Sequence, residues 1–140
     1  MTVVLDADVV IGALDGADLH HSRARTLFRR WHAQQTPRLI SVINLSEVLV
    51  GPGADRERLR TAREAVGLLG VVIHQPSEPV GVEAARFRAR HPISLADAYC
   101  LATAKHVGAT VISFDRKVTR AAEDEQLAHT DATRRRGPRQ

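Results

Sequence analysis

Apolar and polar positions along the chain alternate between two periods. Short runs rich in β-branched residues, Val3-Val4-Leu5, Arg38-Leu39-Ile40-Ser41, Val71-Val72-Ile73 and Thr110-Val111-Ile112-Ser113, are bounded by turn signals and read as buried strands. Leu127-Ala128-His129 is a candidate fifth. Between the runs the spacing turns helical. Val9, Val10, Ala13 and Leu14 form a first stripe, and residues 17–35 carry Leu19, Ala24, Leu27, Phe28, Trp31 and His32 opposite an arginine-rich face. Pro37 ends that helix, and Gly51-Pro52-Gly53 stops the next, over 42–50. Further helices are expected over 55–69, 80–90, 94–107 with Gly108 as its C-cap, and 115–123. Strand and helix alternate throughout. That order predicts an α/β fold whose central, mainly parallel sheet of four or five strands is covered by helices on both faces.

The bulk numbers set bounds on this picture. At 140 residues the chain has the size of one ordinary domain, with 44% hydrophobic and 26% charged residues. Of 20 Lys and Arg, four (Arg134, Arg135, Arg136 and Arg139) fall in the last seven positions, which hold no acid. Without them the remaining 16 bases match the 16 acids, so the net charge of +4 belongs to the end of the chain. Residues 1–131 are expected to form the domain, and 132–140 a solvated basic tail whose functional reading is non-specific contact with nucleic-acid phosphates. A single cysteine, Cys100, rules out an intramolecular disulfide and a thiolate zinc cluster and suits a reducing compartment. No apolar run has the length of a membrane span and no secretion signal is visible, so the expected location is the cytoplasm.

Candidate chemistry enters with the acids. Asp6 falls where the first strand stops, Glu47 in the early part of the helix after the second strand, Asp97 in the first turn of its helix, and Asp115 just after the fourth strand. Each also has a purely local reading. Asp6 and Asp115 suit helix N-caps, while Ser94-x-x-Asp97 and Asn44-x-x-Glu47 have capping-box spacing. In a parallel sheet, however, strand ends and the helix starts that follow them gather on one edge. Four carboxylates meeting there repel one another unless a cation neutralises them or some take up protons. The donors are all carboxylate oxygens, with Asp8 and Ser113 as supplements. The chain has no paired Cys, His-x-x-x-His or His-Glu-x-x-His. Hard oxygen ligands suit Mg²⁺ or Mn²⁺ rather than zinc, and a carboxylate-held Mg²⁺ is standard apparatus for phosphodiester hydrolysis.

In this order, Val4-Leu5-Asp6-Ala7-Asp8-Val9-Val10-Ile11, Ser41 through Glu47-Val48-Leu49, Leu95-Ala96-Asp97-Ala98-Tyr99 and Val111-Ile112-Ser113-Phe114-Asp115-Arg116 resemble the PIN-domain ribonucleases, and among them the VapC toxins of bacterial toxin–antitoxin pairs. The resemblance spans the chain to about His129. It implies a three-layer α/β/α fold and a Mg²⁺-dependent endoribonuclease acting on RNA. It also implies a homodimer and an antitoxin partner. The family's acidic tetrad falls on Asp6, Glu47, Asp97 and Asp115, and its small hydroxyl residue on Ser113. Asp6, Asp97 and Asp115 are then expected to hold the ion, and Glu47 to ligate a second ion or orient the water. Two positions depart from the family. Position 8 is usually Asn, Ser or Thr and here is Asp8, a fifth acid; Val118 replaces a Phe often found after the last acid.

Two other readings stand beside it. Val3-Val4-Leu5-Asp6-Ala7-Asp8-Val9-Val10 also resembles the first motif of haloacid-dehalogenase-like phosphatases, where Asp6 would be a nucleophile; Glu47 and Asp97 would then go unused. Alternatively, all the acids are caps and the chain is a non-catalytic α/β module. Leu, Phe and Trp within 19–31, and the helix over 55–69, are the candidate surfaces for a protein partner.

Overall fold

The computed structural model describes residues 1–131, so the basic end expected over 132–140 lies outside the described residues. In chain order the elements are β1 (Val3–Leu5), α1 (Ala7–Leu14), α2 (His21–Ala33), β2 (Arg38–Ser41), α3 (Val42–Val50), α4 (Arg56–Leu68), β3 (Val71–His74), α5 (Glu78–Arg90), α6 (Leu95–Val107), β4 (Thr110–Ser113), α7 (Arg116–Asp124) and β5 (His129–Asp131). The strands form one sheet in the order β3-β2-β1-β4-β5, and every pairing is parallel.

Side chains on β1 alternate between two cores. Val3 and Leu5 join Ile40 and Ile112 under Val9, Leu27, Trp31, Leu45, Val48 and Val66, which come from α1 to α4. Val4 joins Val111 under Val80, Phe87, Leu101 and Val118, which come from α5 to α7. The period of two in the strands thus divides the helices into a layer on each face, giving three layers. Both faces of β1 are covered and all three of its residues are fully buried. This is why the strand reads as a continuous apolar run. Gly108, at φ 70°, closes α6 in the left-handed conformation that a residue with a side chain adopts at a cost.

Three expectations are corrected. The second helix begins at His21 rather than at residue 17, because the Asp15 and Asp18 carboxylates accept from the Ala17 and His20 N–H groups at 2.9 and 2.8 Å and hold the preceding stretch in turns. Phe28 and Trp31 do not form a surface for a partner: they pack edge to face at 5.0 Å inside the core, and of the Leu, Phe and Trp side chains of that stretch Leu19 alone is exposed. The last strand runs from His129 rather than from Leu127. Among the described residues no helix is long and apolar enough to cross a membrane.

Leu5 immediately precedes Asp6 and is fully buried at the centre of the sheet. Leu5→Ala is expected to destabilise the domain by about 3 kcal/mol, seen as a lower urea midpoint at unchanged m-value.

Candidate active site

From β1 the chain builds outward to β2 and β3, then returns to the other side of β1 for β4 and β5. The C-terminal ends of β1 and β4 therefore flank the point where strand order reverses, and a crevice opens there. Leu5 pairs with Ile112, so the next residues, Asp6 and Ser113, stand side by side on adjacent strands and point to the same face. Ser113 Oγ donates to Asp6 Oδ2 at 2.7 Å and accepts from the Asp115 N–H at 3.0 Å. Asp6 Oδ1 accepts from the Ala7 N–H at 2.8 Å, so the same side chain that faces the crevice also caps α1. Asp8, in the first turn of α1, reaches across to accept from the Phe114 N–H at 3.1 Å.

The other acids arrive by helix starts. Asp115 is the N-cap of α7 and accepts from the Lys117 N–H at 2.8 Å. Asp97 closes a reciprocal capping box with Ser94 at 3.1 and 3.0 Å at the start of α6. Glu47 lies on α3, exposed, with one oxygen 3.3 Å from the Asn44 amide. The helix is capped by Ser41, which accepts from the Ile43 N–H, so Asn44 and Glu47 do not form the capping box that their spacing suggested.

These carboxylates sit in one another's electrostatic field. Burial pushes the Asp6 carboxyl up to about 8, and the charges of Asp8 and Asp97 add to it against the Ser113 and Ala7 hydrogen bonds. Asp8 is raised to about 6, first by burial, then by Asp115 and Asp97, against the Phe114 N–H and the nearby His20. Glu47 is raised by burial and by Asp97, with the Asn44 amide opposing. Cys100, fully buried on α6, has its thiol pushed well up by burial and by Asp6, Asp8, Asp97 and Glu47. The thiol stays protonated, which makes it a packing residue, as the sequence suggests. The structure therefore brings Asp6, Asp8, Glu47, Asp97, Asp115 and Ser113 to one edge.

Among the described residues no three His, Cys, Asp or Glu side chains form a ready metal-binding cluster. The donor chemistry nevertheless fits a hard divalent cation. The acids offer only oxygens, and Asp6 is raised first by burial and then by the charges of Asp8 and Asp97, which a cation would offset. Two neighbours escaped the sequence reading. His20 stacks on Phe114 with ring centroids 4.4 Å apart and 18° between planes, close enough for its charge to act on Asp8. Asn44 is fully buried and also donates to the Ala96 carbonyl at 3.0 Å. The available signal for Asn44 was a polar residue four positions before Val48 on a buried stripe; for His20 there was none.

No curated protein sequence matches the chain. Solved structures of similar fold include VapC20 of Mycobacterium tuberculosis, described as a Sarcin-Ricin loop cleaving toxin, at 17% identity and TM-score 0.69 over 86% of this chain and 95% of that one. A toxin–antitoxin complex from Klebsiella pneumoniae is similar at 24% identity and TM-score 0.64, over 81% and 87%. DNA-bound VapBC from Salmonella typhimurium is similar at 16% identity and TM-score 0.70, over 94% and 98%. At such identities the likeness is one of fold. The PIN domain family model matches residues 3–124, from β1 to the end of α7, a span that takes in Asp6, Glu47, Asp97 and Asp115. This chain belongs to the PIN domain family.

Proposed function

We propose that this protein is a divalent-metal-dependent endoribonuclease and the toxin of a toxin–antitoxin pair. The observation that carries the reading is that Asp6, Asp8, Glu47, Asp97 and Asp115 lie within one another's electrostatic reach beside the β1/β4 switch point of a PIN domain, with Asp6 buried. Asp6, Asp97 and Asp115 hold Mg²⁺, with Mn²⁺ able to replace it, and Glu47 serves a second ion or orients the water. A bound Mg²⁺ acidifies water and offsets charge on the phosphate and the leaving oxygen. The chain itself supplies the frame. Ser113 and the Ala7 N–H fix both Asp6 oxygens, and the Phe114 N–H fixes Asp8. Arg116, Lys117 and Arg120, exposed beside Asp115, attract the substrate phosphates. Glu47 and Asp97, which a haloacid-dehalogenase-like phosphatase leaves unused, lie within the electrostatic reach of this site, and that favours the nuclease.

The toxin reading draws on the fold neighbours, one of which is a toxin–antitoxin complex and another a toxin by name. The surface we assign to the antitoxin is α4, where Leu59 and Ala62 are half-buried and Leu68 is exposed. An open groove of about 500 Å³ beside it has a mixed lining, with Leu14, Pro52 and Ala62 set against Asp55, Glu57 and Arg58. A homodimer and a cytoplasmic location complete the proposal.

Purified protein is expected to cut a mixed pool of single-stranded and structured RNA with Mg²⁺ or Mn²⁺. Chelator should abolish the cuts, and Asp97→Asn should reduce them by at least about 100-fold with the fold intact by circular dichroism. A fully active Asp97→Asn protein would exclude the assignment.

Proton linkage gives a second test. Asp6 and Asp8 titrate at about 8 and about 6 in the folded state against an ordinary 3.8, so between those values the folded state binds more protons than the unfolded. Stability from these groups is complete below the ordinary value and is lost as pH rises towards 8. Metal-free wild-type protein should therefore melt lower at pH 8 than at pH 5.5. Asp6→Asn, which keeps an acceptor for the Ala7 N–H, should raise the pH 8 melting temperature by about 5 °C or more and flatten the profile. A wild-type profile that rises over this window would contradict the buried, uncompensated carboxylate.

A further inference from the structure

Asn44, on α3, faces α6 and has no exposed surface. Its Nδ2 donates to the Ala96 carbonyl at 3.0 Å and to Glu47 Oε1 at 3.3 Å. One amide therefore ties Glu47 to the residue immediately before Asp97. Both partners are acceptors, which fixes the orientation of the amide, since turning it over would set Oδ1 against two oxygens. Oδ1 is left buried without a partner. A buried, unsatisfied acceptor is a liability that an apolar residue of similar size would avoid, so packing does not account for an asparagine here. Glu47, by contrast, is exposed, and an exposed glutamate samples many rotamers unless something holds it. Among the described residues, the side chain that donates to Glu47 is Asn44.

We infer that Asn44 is a positioning residue for the metal site: it restrains Glu47 at a set place relative to Asp97, so that the two carboxylates act as one donor set. The inference rests on the proposed metal-dependent site and extends it to a residue outside the acids. Partners that orient ligating carboxylates typically govern metal affinity by one to two orders of magnitude.

The test is a double-mutant cycle on the full chain, with Asn44→Val, Glu47→Gln and both together, read as Mn²⁺ affinity by titration of the bare ion and as melting temperature. N44V should weaken Mn²⁺ binding about tenfold in the wild-type background and by no more than about twofold in the E47Q background. A residue that only packs helices together would weaken binding equally in both. Unchanged affinity in N44V, or losses that multiply in the double variant, would overturn the inference. Should N44V fold poorly, Asn44→Ser takes its place with the same expectations. Wild-type protein that binds Mn²⁺ and cuts no RNA defeats the nuclease reading but not this inference; protein that binds no Mn²⁺ defeats both.

Discussion

The burial of Asp6 is the constraint from which the rest of the site follows. A carboxylate at the end of a fully buried central strand is costly unless donors meet it. Two do: the Ala7 N–H, which starts α1, and the Ser113 hydroxyl, which brings the ends of β1 and β4 together. Ser113 in turn accepts from the Asp115 N–H, and Asp115 from that of Lys117, so a continuous chain of hydrogen bonds runs from the start of α1 to the start of α7. The compensation is partial. Asp8 and Asp97 add negative charge where Asp6 is already poorly solvated, and its carboxyl remains raised to about 8. A fold optimised for stability alone would place a neutral residue there.

For Asp97 and Asp115, capping a helix and facing the crevice do not compete, because a carboxylate has two oxygens. Asp97 accepts with one from the Ser94 N–H and Asp115 with one from the Lys117 N–H, each at the start of a helix, and among the described residues the second oxygen has no hydrogen-bond donor. The cap also fixes the side chain. A residue immobilised by the first turn of a helix presents its other oxygen with little further loss of rotamer freedom. For Asp97 and Asp115, then, the cap and the proposed site, which stood as alternatives in the sequence, are compatible uses of one side chain.

How much was legible follows from the range of the interactions. The strands and helices were readable because strand alternation and helical stripes are local, and β1 to β4 and α3 fall almost where the pattern sets them. The edge on which the acids meet was readable from the βα order, which needs only handedness and parallel pairing. The start of α2 was not, because two Asp side chains compete with the helix for backbone N–H groups, and a stripe of apolar residues says nothing of that. The burial of Phe28 and Trp31 depended on which helix face met the sheet. Asn44 and His20 were least legible of all, since their roles rest on contacts with Ala96 and Phe114, residues distant in the sequence.

Asp8 shows how one substitution alters such a site without moving it. Its carboxylate accepts from the Phe114 N–H at 3.1 Å, a bond that an asparagine would make equally well through its side-chain oxygen. The geometry is therefore served by either residue, and what the aspartate adds is charge. That charge falls on Asp6, where it ranks next after burial among the causes of the raised carboxyl. The extra acid strengthens the attraction for a divalent cation and, until one arrives, repels a phosphodiester from the same crevice. Under the proposed reading, a site with aspartate at position 8 would depend on a divalent cation more strictly than one with asparagine. His20, whose charge acts on Asp8, is placed to soften that repulsion.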